Sequence, residues 1–180
     1  MEILTRVETQ LKNNIMNSTD LNENEYPAFF ESYIKNLGNI DLFEVLKTSV
    51  NETVTLLKNL SEDKLNYRYA NGKWTIKELT QHIIDAERIL SYRALRFSRN
   101  DTTDLKGFDE DWYVEYSNGD ERNFKDILQE FTHVRNATIS LYNSFTNEML
   151  LKSGTADGKN LSVRALGFII AGHQQHHIKI

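Results

Sequence analysis

The last nineteen residues, Ser162 to Ile180, read SVRALGFIIAGHQQHHIKI and constrain the chain more than any other stretch. Val163, Leu166, Ile169 and Ile170 recur at helical spacing, and His173 and His177 continue the same apolar stripe one and two turns further on. A helix with such a stripe must bury it, so its core face ends in two imidazoles. At i and i+4 their Cβ atoms stand about 5–6 Å apart, which suits two ligands of one metal ion. A pair of ordinary, partly buried histidines is the alternative reading.

A three-histidine site needs a third ligand, and the chain holds five histidines in all. His176 points about 60° away from the direction of His177, at about 100° per residue, which suits a supporting or surface group. His133, in THVRNATISLY, only adjoins the apolar stripe of another helix. His82, in KWTIKELTQHIIDAERIL, flanks the apolar face marked by Leu79, Ile83 and Ala86 and is the best third ligand.

The remaining long helices are legible from stripes and caps. A first runs from Asp41 to about Leu60, with Asp41 and Glu44 in a capping-box pattern and Leu42, Leu46, Val50, Val54 and Leu57 on one face. A second starts at Thr75, where Thr75 and Glu78 make a capping box and Trp74 and Leu79 a hydrophobic staple, and runs to about Arg99. A third is capped by Asn123 and turns Phe124, Ile127, Leu128, Phe131, Val134, Leu141 and Phe145 inward. The fourth is the helix from Ser162. Ahead of them, Pro27 opens a short helix, PAFFESYIKNL, that stops at Gly38. Met1 to Met16 places Leu4, Val7, Leu11 and Ile15 on one side of a further helix, which either packs across the bundle, mediates self-association into a homodimer, or frays. No alternating apolar pattern of strand length is present.

About 23 residues link the second long helix to the third, far more than the two to eight usual between antiparallel neighbours. A connection of that length can return along a helix of about 37 Å, so the two helices can run parallel. The expected fold is an all-α four-helix bundle, up-down-down-up, with a long crossover and short extra N-terminal helices. Its second and fourth helices are antiparallel, which sets His82 level with His173 and His177.

Composition excludes several classes. With 180 residues, one proline and 39% apolar content, the chain can bury a single sizeable core. Cysteine is absent, so disulfides, thiolate metal sites and a cysteine nucleophile are excluded, and histidine and carboxylate remain as metal ligands. The N-terminus lacks the basic and apolar regions of a signal peptide, and no apolar run is long enough to span a bilayer, so the expected location is cytoplasmic, with no membrane partner. A net charge of −5 without a basic stripe argues against nucleic acid.

The segments GKWTIKELTQHIIDAERILSYRALRF, LKGFDEDWYV and SVRALGFIIAGHQQHH resemble the DinB-like superfamily of metal-binding four-helix bundles, in particular its YfiT-type, bacillithiol-transferase-like branch. The resemblance covers Tyr26 to Ile180, which leaves 1–25 as an N-terminal extension and 26–180 as the bundle domain. It implies a divalent metal on His82, His173 and His177, and an S-transferase that activates a low-molecular-weight thiol for attack on an electrophile.

Three protein ligands leave a coordination position open, as in catalytic sites. Zinc and nickel both accept imidazole. Gln174 follows His173 where an H-E-x-x-H peptidase carries its glutamate, which disfavours peptide hydrolysis. Asp85 either serves the site as a hydrogen-bond acceptor or proton carrier, or is a solvent-facing or salt-bridged carboxylate. Arg93, three turns beyond His82, either holds a substrate anion or pairs with Asp109, Glu110 or Asp111. Trp112 and Tyr113 either cover the pocket or pack on the bundle. Metal-dependent hydrolysis of a small amide, and a non-catalytic stress-related metal-binding protein, are the other functional classes.

Overall fold

A computed structural model describes residues 16–179. The helix expected over Met1–Met16 therefore lies outside the described residues, but for Met16. The elements are α1 (Glu31–Lys35), α2 (Leu42–Leu57), α3 (Glu62–Leu65), α4 (Ile76–Ser98), α5 (Glu110–Glu115), α6 (Phe124–Asn143), α7 (Asn147–Leu150), β1 (Ser153–Ala156), β2 (Lys159–Ser162) and α8 (Val163–Ile178). The four long, even-numbered helices form the bundle.

Their starts are written in side chains. Asp41 caps α2 by accepting from the amides of Phe43 at 2.9 Å and Glu44 at 3.1 Å. Thr75 and Glu78 close a full capping box on α4, satisfying amide donors that the first helical turn leaves open. Asn123 caps α6 and Ser162 caps α8. The ends differ slightly from expectation: α2 closes at Leu57, and α6 at Asn143, leaving Phe145 buried just beyond it.

Contacts between elements set the directions. Along α4 and α6, Arg88 pairs with Glu130, Glu87 with Arg135 and Ser91 with Thr138, so these two helices run parallel. Gly167 meets Leu42, and Gln174 bonds Ser49 and Thr53, so α2 and α8 are parallel too. His82 near the start of α4 meets His173 near the end of α8, which makes that pair antiparallel. The topology is up-down-down-up. The crossover from α4 touches the hairpin through Leu105, then returns to the start of α4, where Asp120 accepts from the Thr75 hydroxyl at 2.5 Å.

Two findings correct the sequence reading. A two-stranded antiparallel hairpin precedes α8, with Ser153 opposite Ser162 and Ala156 opposite Lys159. Its turn is Asp157-Gly158, both at positive φ, the conformation that Asp-Gly favours between strands. Strands of four residues rich in Ser, Thr, Lys and Asn show no apolar alternation, so the dipeptide was their only local signal. Gly154 lets this hairpin lie on α4, because a Cβ there would stand 2.2 Å from the Phe97 ring.

The second correction concerns α8, which is buried on every side from Val163 to Gln174 rather than along one stripe. Ala165, Phe168 and Ala171 fill the faces between the expected positions, and α4, α2 and α1 pack around them. Tyr142 anchors the helix start, donating its hydroxyl proton to the Val163 carbonyl at 2.9 Å. Glu25 accepts from Ser162 at 2.7 Å and from Arg164 at 2.8 Å, which ties residues before α1 to the same end. No helix among the described residues is long and apolar enough to cross a membrane.

Between two apolar clusters of the core lies a layer that is polar and wholly enclosed. Arg135 of α6 is 0% exposed; it donates to Glu87 of α4 at 2.8 and 2.9 Å, to Ser49 of α2 at 2.6 Å and to Gln174 of α8 at 2.6 Å. Gln174 in turn donates to the Ser49 carbonyl and to Thr53, both at 2.7 Å. One guanidinium thus joins all four bundle helices, with its charge matched and its donors occupied.

Candidate metal centre

The antiparallel pairing of α4 and α8 brings three imidazoles together at one end of the bundle. Nε2 of His173 lies 3.0 Å from Nε2 of His82 and 3.0 Å from Nε2 of His177. All three ligand atoms lie within 4.8 Å of one another. Two bonds of about 2.1 Å opening at about 90–110° place their ligand atoms about 3.0–3.4 Å apart, so this spacing fits ligands of one small divalent ion. The donor set also fits, since neutral imidazole suits zinc, nickel and neighbouring transition metals.

The rings are held apart from water. His82 and His173 are buried, at 2% and 7% exposure, and His177 is half-buried. Burial pushes the imidazoles of His82 and His177 down to about 4, with Asp111 opposing at His82 and neighbouring imidazoles adding at His177. His173 is driven well below the ordinary value by burial first and by the other histidines second. At neutral pH the three rings are uncharged, with lone pairs available to a cation.

Local sequence explains the placement. Two turns of helix from the Thr75 cap bring His82 level with the end of α8. His173 and His177 follow Ile169 and Ile170 on the face turned toward α4. Gly172 permits α1 to close on this end, since a Cβ there would stand 2.4 Å from the Tyr33 carbonyl oxygen. The Tyr33 ring consequently leans on His173 and His176, with centroids 5.7 and 4.8 Å away. Trp74 packs on His82, with ring centroids 4.8 Å apart.

The other expected site residues lie elsewhere. His176 faces Tyr33, outside the converging nitrogens. His133 is exposed on α6, where it lines a shallow surface groove with Arg88 and Glu130. Asp85 accepts from Gln81 at 3.1 Å and from Arg88 at 3.5 Å, in a lateral network with Glu130 and Arg122. Burial raises its carboxyl. Arg93, eleven residues and so about 16 Å along α4 from His82, donates to the Lys106 carbonyl at 3.0 Å. Trp112 is 61% exposed and stacks on Tyr116, at 5.3 Å, instead of on the bundle. Tyr33 and the Arg135 layer were not anticipated. Opposite charges on two apolar stripes, Glu87 after Ile83 and Ile84, and Arg135 after Phe131, were the available signal for the second.

Fold and site together define a helical bundle with an up-down-down-up order and a three-histidine cluster suited to a divalent metal. The chain matches the family model of the DinB superfamily over residues 46–180 and belongs to that superfamily. Its fold is similar to that of YfiT from Bacillus subtilis, described as a probable metal-dependent hydrolase with an unusual four-helix bundle topology. The TM-score is 0.70 at 15% identity, over 76% of this chain and 79% of that one. A mycothiol-dependent maleylpyruvate isomerase is also similar, with a TM-score of 0.63 at 12% identity, over 91% of this chain and 62% of that one. At these identities the likeness carries the fold alone. No match was found among curated proteins.

Proposed function

We propose that this protein is a divalent-metal-dependent S-transferase, in which His82, His173 and His177 hold a zinc or nickel ion and a low-molecular-weight thiol attacks an electrophilic small molecule. The observation that carries the reading is the meeting of three neutral Nε2 atoms from two helices, two on buried rings and one on a half-buried ring, at separations suited to one ion. When bound, the ion supplies Lewis acidity that holds a thiol as its thiolate near neutral pH. His82 and His177, kept neutral by burial, are free to serve as donors without first losing a proton. Trp74 and Tyr33 lie against the rings of His82 and His173. The chain has no cysteine, so the sulfur comes from a co-substrate. Such thiols are kept reduced in the cytoplasm, where we place the protein.

The similarity to YfiT, itself described as a probable metal-dependent hydrolase, supports a second reading, hydrolysis of a small amide at the same three histidines. Metal analysis of freshly purified protein, followed by a panel of thiols against a model electrophile, separates the two. Thiol-dependent loss of the electrophile, abolished by chelation and restored by metal, is the expected result. Thiol-independent cleavage of an amide would establish the second reading instead. Undiminished turnover in verified metal-free protein would remove both.

A further inference from the structure

Helix α8 is buried on every side from Val163 to Gln174, so no contrast between an apolar and a polar face selects its rotation about its own axis. Apolar contacts are non-directional and leave that rotation loosely set. Directional bonds have to fix it. At the start of α8 they come from Tyr142 and Glu25. At the other end, eleven residues and so about 16 Å on, they come from Gln174, which directly follows His173.

Gln174 is 0% exposed, and its amide has one satisfying orientation. Its Oε1 accepts from Nη2 of Arg135 at 2.6 Å, while its Nε2 donates to the Ser49 carbonyl and to the Thr53 hydroxyl, both at 2.7 Å. Turned over, the amide would set N–H against N–H at the guanidinium and oxygen against oxygen at Ser49. Arg135 is equally fixed. With the Leu46 carbonyl at 3.2 Å beside Ser49, Gln174 and both Glu87 oxygens, its five N–H donors are all used. Glu87 belongs to α4, five residues after His82. The same guanidinium therefore holds both helices that supply the imidazoles. A rotation of about 20° moves atoms at a helix surface by about 2 Å, whereas metal–ligand distances tolerate about 0.2 Å.

We propose that Gln174 and Arg135 are positioning residues of the metal site: their contact holds α8 in the rotation at which His173 and His177 meet His82, and so sets metal affinity. The inference rests on the three-histidine metal reading above and is independent of the thiol chemistry. Wild type, Gln174→Met and Tyr142→Phe are titrated with cobalt(II) against a competing chelator, and the d–d absorption of the bound ion is recorded. Tyr142→Phe weakens the same helix at its far end and is the control for stability alone. Gln174→Met should bind cobalt about tenfold more weakly, with a changed d–d band, as expected when the competent rotation falls to about one tenth of the population. Tyr142→Phe should keep the wild-type affinity and band while its Tm falls. Thr53→Val removes a single acceptor from the amide; it should weaken binding about threefold, and it decides the matter if Gln174→Met does not fold. Wild-type affinity and band in folded Gln174→Met or in Thr53→Val, or an equal loss in Tyr142→Phe, would overturn the inference and leave the metal reading standing. A wild-type protein that binds no cobalt would overturn both.

Discussion

At the scale of single residues, the histidines divide by direction. His82→Ala, His173→Ala and His177→Ala should each lose the metal, whereas His176→Ala should keep it, because His176 leans on Tyr33 outside the converging Nε2 atoms. Elemental analysis of the four purified variants checks this, and equal loss from all four would contradict the assignment. The same imidazoles set a pH dependence. His82 and His177 titrate at about 4 when folded, against 6.5 when unperturbed. Between those values the unfolded chain binds more protons than the folded one, so metal-free protein should lose stability as pH falls from about 6.5 to about 4 and stay level above 6.5. Urea unfolding of chelated protein across that range measures the slope, and His82→Gln should make it shallower while the contribution of His177 remains.

At the scale of elements, the polar layer around Arg135 decides how the four helices are rotated against one another. Arg135→Leu leaves the Glu87 carboxylate buried without its partner and should cost about 3–5 kcal/mol. Replacing both members in Arg135→Leu/Glu87→Leu removes the stranded charge and should recover a substantial part of that loss, since a well-packed apolar pair can match a buried ion pair. Chemical denaturation of the wild type and both variants is the measurement. A double variant no more stable than Arg135→Leu would show that the layer contributes through Ser49 and Gln174 rather than through the charge pair.

For the whole molecule, the question is whether the metal is needed to fold. The two core clusters bury Leu46, Phe97, Phe131, Phe168 and Ile169 almost completely, without help from the histidines. Each such side chain contributes about 1.5–3 kcal/mol against chain entropy. Metal in large excess over its dissociation constant adds a few kcal/mol by mass action, mainly by tying α4 to α8. Chelated protein should therefore keep its helical circular dichroism while its Tm falls, and restored metal should return the Tm. Global unfolding on chelation at room temperature would mark the site as structural.

Much of this was legible before any coordinates, because it depends on periodicity and local hydrogen bonding. Stripes of period 3.6 marked the four long helices, side-chain caps at Asp41, Thr75 and Asn123 marked the starts of the first three, and the i, i+4 pair of His173 and His177 marked one face of the last. A crossover too long for a tight turn pointed to the parallel pair α4 and α6. What the tertiary structure alone decided depends on groups distant in sequence. Arg135 reads as a surface residue until Glu87, Ser49 and Gln174 from three other helices enclose it. Asp85 and Arg93 share a helix with His82, yet lateral partners draw them away from the triad. Tyr33 reaches the site only because a glycine 139 residues later leaves room for its backbone. Local pattern specifies an element and the face it buries; which side chains meet across elements is set by packing, where a missing Cβ or an opposing charge decides the contact.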